Sequence, residues 1–104
     1  PHCLEGTDGW QIDAALAVED APVFDKPGFG SPALIEYLRS LPALEGVEFI
    51  GLCTDICVIA NAMMLKSFYP EKEIIVDSTC CAGSTPENHE KALQAMKACQ
   101  IDIL

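Results

Sequence analysis

Residues 51–60 (Gly-Leu-Cys-Thr-Asp-Ile-Cys-Val-Ile-Ala) hold the side chains best suited to chemistry in this chain of 104 residues. They join an apolar strand pattern to a helical pattern. A thiol in the first turn of a helix lies near unpaired N–H groups and the positive end of the helix dipole, which favour the thiolate. With Thr54 as N-cap, Cys57 would be the third helical residue, its N–H free to meet an oxyanion. Cys57 is therefore the candidate nucleophile, with a buried, inert cysteine as the alternative.

Several other side chains are candidates for a site around this thiol. Lys26 ends a short apolar pattern before a proline–glycine turn, where it would be partly desolvated and would stabilise a nearby thiolate, or would simply be a surface lysine. Cys53 could be the reactive thiol or a packing residue. His2 could be a metal ligand or a general base, although a single histidine near a terminus is usually neither. We expect His89 to be structural and Asp77 to support the turn that follows it.

Strand patterns alternate with helical patterns and would position these residues. The strand patterns cover residues 23–26, 47–52, 73–77 and 101–104. The chain therefore reads as a series of strand–helix–strand units, which imply a largely parallel sheet with right-handed crossovers.

The three predicted helices begin at recognisable capping sequences. Ser31 precedes a proline at the first helical position, and Thr85 precedes another. The middle helix, from Asp55 to about residue 68, is apolar nearly all round, which predicts burial on more than one side. In the last helix Glu87 is placed to pair with Lys91.

The carboxyl ends of the predicted strands carry the candidate residues. In open parallel sheets ligands bind beyond these ends. Lys26, the turn at residues 53–57 and the segment 77–81 follow three different strands. We expect these three stretches to converge at one edge of the sheet.

Composition narrows the class of protein. Half of the residues are hydrophobic and the chain is short, so we expect one folded domain. The net charge of −10 argues against a nucleic-acid or anionic-membrane surface. No apolar run approaches the ~20 residues that a membrane span needs. Because the sequence opens on Pro1 and not on a methionine, we expect a piece of a longer protein.

The six cysteines do not have the spacing of a disulfide framework. Cys80 and Cys81 are adjacent, and Cys53 and Cys57 share one strand-to-helix turn. The apolar content is sufficient for a core without disulfides. We therefore predict a reduced, cytoplasmic protein, and the absence of any Cys-x-x-Cys pair argues against a structural zinc site.

Four segments together resemble a known family. Residues 51–58 (Gly-Leu-Cys-Thr-Asp-Ile-Cys-Val) resemble the nucleophile motif of the isochorismatase-like cysteine hydrolases, the superfamily that includes nicotinamidases. Residues 1–9 (Pro-His-Cys-Leu-Glu-Gly-Thr-Asp-Gly) resemble the HCxxGTxG segment of the nicotinamidase branch. Residues 25–31 are similar to its lysine-bearing segment, and residues 77–82, more weakly, to its following strand-end segment. The order and spacing agree along essentially the whole chain.

This resemblance implies a fold and a set of roles. The fold would be a three-layer α/β/α arrangement around a largely parallel Rossmann-like sheet, with residues 1–104 as the C-terminal portion of a single domain, incomplete in this chain. Cys57 would be the nucleophile and Lys26 the triad lysine. The backbone N–H groups of Cys53 and Cys57 would form the oxyanion hole, after a cis bond between Leu52 and Cys53. His2 would bind a divalent metal ion: zinc, iron or manganese.

The chain departs from the family pattern at one catalytic position. The triad aspartate of the family lies on its first strand, and further metal ligands follow on an Asp-x-His stretch, but the sequence contains neither. Asp25, Asp55 and Asp77 do not match the aspartate's motif and are not assigned its role.

The resemblance implies an amidohydrolase that converts a small amide, foremost nicotinamide, to the acid and ammonia through a thioester on Cys57. Phe29 would help to wall the ring of the substrate, or pack in the ordinary way. Two alternatives stay open: another hydrolase of the superfamily, acting on an isochorismate-type ether or a different amide, and an inactive fragment or binding module. We expect a small-molecule partner, no nucleic acid, no membrane, and a homo-oligomer.

Overall fold

The computed structural model describes residues 3–18 and 20–104, which form a parallel sheet covered by helices. The strands are β1 (Gly46–Leu52), β2 (Glu73–Ala82) and β3 (Asp102–Ile103), and the helices are α1 (Pro32–Ser40), α2 (Ile59–Phe68) and α3 (Pro86–Ala98). A π-helical turn, Thr54–Val58, leads from β1 into α2. Two short 3₁₀ turns, Asp8–Trp10 and Ala14–Leu16, precede α1.

The three strands lie in the order β1-β2-β3, and both pairings are parallel. Phe49 of β1 is opposite Val76 of β2, and an irregularity then brings Gly51 opposite Cys81. The predicted α/β class with a parallel sheet is thus confirmed. β2 extends five residues beyond the segment predicted for it, because its second half pairs with the last residues of β1.

The predicted caps of α1 and α3 are confirmed. The Ser31 hydroxyl accepts the N–H of Leu34 at 3.2 Å, and the Thr85 hydroxyl accepts the N–H of Asn88 at 3.0 Å. Each cap satisfies one of the N–H groups that a helix start leaves without an intrahelical partner. The pair expected on α3 is also present, with the Lys91 ammonium 3.0 Å from the Glu87 carboxylate.

The core lies between the sheet and one layer of helices. α2 contacts α3, β2 and α1, so all three helices belong to the same layer. The buried apolar residues of this core are Ile35, Val58, Ala62, Leu65, Ile74, Val76, Ala92, Leu93, Met96 and Ile101. Alternate residues of β1 point to the opposite face, where Ile50 is 63% and Leu52 is 68% exposed.

The strand predicted for residues 23–26 is wrong. The segment has no regular secondary structure, since a strand needs a hydrogen-bonded neighbour and the described β-ladders join β1, β2 and β3 only. The Phe24 ring instead packs against Tyr37 of α1, with 5.4 Å between the ring centroids. None of the helices in the described ranges is both long enough and apolar enough to cross a bilayer.

Candidate active site

The turn between β1 and α2 is held by two hydrogen bonds to one carbonyl group. The Cys53 carbonyl accepts the N–H of Ile56 at 3.0 Å and the N–H of Val58 at 3.1 Å. The Cys57 N–H lies between these two donors in sequence. The sequence predicted that Cys57 is the third helical residue, but it is the fourth residue of this π-helical turn.

The predicted N-cap role of Thr54 is wrong. Cys53 occupies the cap position, and Thr54 is the first residue of the turn. Thr54 is completely buried, and its hydroxyl forms a 2.7 Å hydrogen bond with Nδ1 of His89. Because this bond is made to a residue of α3, the hydroxyl serves to attach the turn to that helix. The structural role expected of His89 follows from the same bond.

Lys26 and Cys57 lie side by side. The Lys26 ammonium is 3.3 Å from the Cys57 sulfur and donates to the Gly28 carbonyl at 3.1 Å. The lysine therefore folds back over its own proline–glycine turn and reaches the thiol. A positive charge at this distance attracts a thiolate directly. The sequence predicted that the lysine segment (residues 25–31) meets the nucleophile turn (residues 53–57), and this contact between the two segments is confirmed.

The two backbone donors expected at the site belong to the same turn. The peptide bond between Leu52 and Cys53 is cis, as the resemblance implied. The Cys53 N–H lies at the entrance of the turn and the Cys57 N–H within it. Both precede the body of α2, near its positive end.

Asp55 makes a second contact, with Ser84, the residue before the N-cap of α3. Its carboxylate accepts the Ser84 N–H at 2.8 Å and the Ser84 hydroxyl at 2.5 Å. Donation from the Ser84 hydroxyl, and then from its N–H, holds the pKa of the Asp55 carboxyl below its usual range. Together with the Thr54–His89 bond, this contact fixes both residues that precede the middle of the turn. Ser84 was not predicted from the sequence, because nothing in the residues around it indicates a contact with Asp55, 29 positions earlier.

Asn61 connects the lysine segment to the nucleophile turn. The side chain is 8% exposed, and its oxygen accepts the Ser31 N–H at 2.7 Å. Its nitrogen donates to the carbonyl groups of Cys57, at 2.9 Å, and of Phe29, at 3.3 Å. Sequence reasoning did not single out Asn61. The available signal was an amide in a helix that is otherwise apolar nearly all round.

The segment after Asp77 forms a local arrangement of its own. The Asp77 carboxylate accepts the Thr79 hydroxyl at 2.6 Å and the Thr79 N–H at 3.0 Å, and these bonds lower the pKa of the Asp77 carboxyl. Burial raises the pKa of the Cys81 thiol, with smaller contributions from Cys80 and Asp77. Of the three stretches predicted to converge, this one approaches through Cys81, which is opposite Gly51 in the sheet.

A cavity of about 190 Å³ lies beside Lys26. Its lining consists of Glu5, Trp10, Asp25, Lys26 and Pro27. Trp10, the only tryptophan in the sequence, supplies the aromatic wall of this cavity and was not singled out from the sequence. Phe29, the aromatic residue named for that purpose, has a side chain that is 65% exposed.

The metal site expected at His2 lies outside the described residues. Within residues 3–18 and 20–104, no group of three or more histidine, cysteine, aspartate or glutamate side chains is arranged to hold a metal ion. The described side chains therefore do not fit a metal centre by themselves.

Comparisons with known proteins agree on one family. The family model of the isochorismatase domain matches residues 1–104. No curated protein matches the chain. A pyrazinamidase/nicotinamidase from Streptococcus mutans has 28% sequence identity and a TM-score of 0.80, over 100% of this chain and 62% of its own. A nicotinamidase/pyrazinamidase from Bacillus subtilis has 25% identity and a TM-score of 0.79, over 99% and 61%.

A third structure is that of a pyrazinamidase from Pyrococcus horikoshii in complex with zinc. It has 26% identity and a TM-score of 0.76, over 100% of this chain and 61% of its own. The chain thus spans about three fifths of the length of these solved structures. The match of the family model over all 104 residues shows that this chain belongs to the isochorismatase family, with nicotinamidases among its structural neighbours.

Proposed function

We propose that this chain supplies the nucleophile and the lysine of a cysteine amidohydrolase whose substrate is a small amide, foremost nicotinamide. The observation that carries the proposal is the 3.3 Å contact between the Lys26 ammonium and the Cys57 sulfur, at the start of a helix. A cationic group beside a cysteine at the start of a helix is the environment in which nucleophilic cysteines are found. Residues 1–104 would form the C-terminal portion of one isochorismatase-like domain.

The proposed reaction has two stages. The Cys57 thiolate attacks the amide carbon, and the N–H groups of Cys53 and Cys57 hold the oxyanion. The C–N bond breaks and ammonia leaves with a proton from a general acid, which the family resemblance identifies as an aspartate outside this sequence. Water then attacks the thioester carbon and gives one proton back to the same general acid, which is a carboxylate after the first stage. The C–S bond breaks, the carboxylic acid is released and the thiolate is restored, with Lys26 beside the sulfur at both stages.

Nicotinamide is the leading substrate for two reasons. Residues 1–9 resemble the HCxxGTxG segment of the nicotinamidase branch, and the solved relatives described above are nicotinamidases and pyrazinamidases. Trp10, in the wall of the cavity beside Lys26, is one candidate for contact with the ring of the substrate. Phe29 is retained as a second candidate for contact with the ring.

A divalent metal ion is part of the proposal, because one structural neighbour was solved with zinc. His2 would supply one ligand to zinc, iron or manganese, and the remaining ligands would come from outside the described residues. When bound, the ion would hold the pyridine nitrogen and orient the ring.

We also propose a class of partner and a cellular setting for this chain. The charge of −10 favours a small-molecule partner over nucleic acid or an anionic membrane. A reduced, cytoplasmic environment and a homo-oligomer are likewise proposed.

Ammonia release from nicotinamide by the full natural protein tests the proposal. We expect wild-type protein to be active, Cys57→Ser to lose activity by several orders of magnitude, and the control Cys99→Ser to keep it, because Cys99 is exposed at the end of α3. A wild-type protein that hydrolyses another amide or an isochorismate-type ether would identify another hydrolase of the family. A protein whose Cys57 also resists iodoacetamide at neutral pH would be an inactive binding module.

A further inference from the structure

The Asn61 side chain bonds to three backbone groups from two separate segments. We propose that Asn61 is a positioning residue that sets the separation between the Lys26 ammonium and the Cys57 sulfur. The proposal rests on the proposed function in one respect, that Lys26 activates Cys57. Through Asn61, α2 holds the lysine segment against the nucleophile turn.

The hydrogen-bonding capacity of Asn61 is directed at the two segments that form the site. Its oxygen accepts from Ser31, and its nitrogen donates to Phe29 and to Cys57. The first two partners belong to the lysine segment, and the third is the carbonyl of the candidate nucleophile. A shorter side chain would leave the Ser31 N–H and the Phe29 carbonyl without this partner, so these two contacts are specific to an amide of this length.

The lysine segment has no sheet pairing to hold it. Residues 23–26 lie outside the described β-ladders. The position of Lys26 depends instead on the packing of Phe24 against Tyr37 before it and on contacts made by the residues that follow it. Lys26 donates to Gly28, and Gly30 approaches α2 so closely that an added Cβ would lie 2.7 Å from the methyl carbon of Met64. The bonds of Asn61 to Phe29 and Ser31 flank this point of closest approach.

The place of Asn61 in α2 explains why the contact reaches Cys57. The two residues are four positions apart, so they lie on the same side of the helix, one turn from each other. Asparagine is a poor residue for a helix interior, since its amide competes with backbone hydrogen bonds. Here the amide is instead engaged across the boundary between the two segments of the site.

The test is the rate at which iodoacetamide alkylates Cys57 at neutral pH in the full natural protein, measured by peptide mass spectrometry. It needs no substrate. We expect Lys26→Met to slow Cys57 at least about fivefold, because two unit charges at about 4 Å attract by about 1 kcal/mol even in water. Asn61→Ala should slow it to a similar extent. The double variant should be no slower than Lys26→Met, since Asn61 acts through the lysine.

A second substitution separates the two bonds of the amide. A serine in a helix can donate to the carbonyl four residues earlier. Asn61→Ser therefore keeps a donor for Cys57 and loses the contact with Phe29 and Ser31, and we expect it to slow alkylation as much as Asn61→Ala. This variant also keeps the test decisive if Asn61→Ala does not fold.

Leu93→Ala is the control for general destabilisation. It removes core packing on α3, away from the lysine segment, and should lower the melting temperature without slowing alkylation. The proposal is overturned if Asn61→Ser leaves the rate unchanged, or if the effects of Asn61→Ala and Lys26→Met multiply in the double variant. Failure to hydrolyse nicotinamide would reject the substrate and leave this comparison intact. An unchanged rate in Lys26→Met would show that the lysine does not activate Cys57, and it would therefore also reject the proposed role of Asn61.

Discussion

Cys57 and Cys81 are two thiols in opposite surroundings. Cys57 lies 3.3 Å from an ammonium group, whereas Cys81 is partly desolvated and has Cys80 and Asp77 as neighbours. Burial is the main cause that raises the pKa of the Cys81 thiol. At the residue scale, the surroundings of each sulfur therefore distinguish the candidate nucleophile, beside an ammonium group, from a thiol whose pKa is raised by burial.

This difference predicts an order of labelling. At neutral pH iodoacetamide should modify Cys57 before Cys81, and Cys81 should catch up only above the ordinary thiol range of about pH 8.5, because its raised pKa delays the thiolate. Time-resolved peptide mass spectrometry between pH 6 and about pH 10 measures both rates. Cys99, which is exposed, monitors the reagent. Equal rates for Cys57 and Cys81 at neutral pH would contradict the assignment.

At the scale of elements, the nucleophile turn depends on α3 as much as on α2. Thr54 bonds to His89 within α3, and Asp55 bonds to Ser84 just before it. The turn that carries the candidate nucleophile is thereby attached to α3 and to the residue before its N-cap. The packing of α3 on the sheet thus determines where the turn lies.

The contact between Asp55 and Ser84 has a predictable pH dependence. A folded-state pKa below the unfolded one contributes stability above the ordinary carboxyl range of about pH 4, and this contribution is lost as pH falls through the folded-state pKa. Ser84→Ala removes the largest cause, so the pKa of Asp55 should rise towards its ordinary value and acid unfolding should occur at a higher pH.

Carboxyl NMR titration of both proteins measures this change. The pKa of Asp77 is lowered by Thr79 and not by Ser84, so it should be the same in the two proteins. An Asp55 titration that does not move in Ser84→Ala would show that the hydroxyl bond has no influence on the carboxyl group.

At the scale of the whole molecule, β1 is an edge strand of the described sheet. Its partner in the described ladders is β2, and Ile50 and Leu52 project from the face that the helices leave open. Exposed strand edges and contiguous apolar surface promote association between chains. The 104 residues by themselves are therefore expected to be poorly stable.

We predict that the isolated 104-residue chain self-associates in sedimentation velocity experiments. Ile50→Thr combined with Leu52→Thr should reduce the association, because threonine keeps strand propensity and removes apolar surface. Leu16→Thr changes an exposed leucine outside the sheet and should have little effect. A cooperative melt of a monomer would show that this surface is tolerated in water.

The sequence alone was sufficient to predict the strands and helices after residue 30 and the position of the nucleophile turn, because both depend on residues that are close together in the chain. Ser31 and Thr85 were recognisable caps because each precedes a proline at the first helical position, and both predictions are confirmed. The alternating patterns predicted a parallel sheet, and the motif at residues 51–58 indicated the family that the comparisons show.

The tertiary structure alone decided how the turn is held and what stands next to the thiol. The bonds that join Lys26 to Cys57, Asn61 to Ser31, Thr54 to His89 and Asp55 to Ser84 link residues 29 to 35 positions apart. No local pattern encodes such distances, because they arise only when the helices pack on the sheet. For the same reason the two wrong predictions could not be avoided from the sequence. Thr54 was predicted to be a cap because its buried partner His89 is 35 residues away. Residues 23–26 were predicted to be a strand because the sequence does not show whether a neighbouring strand pairs with them.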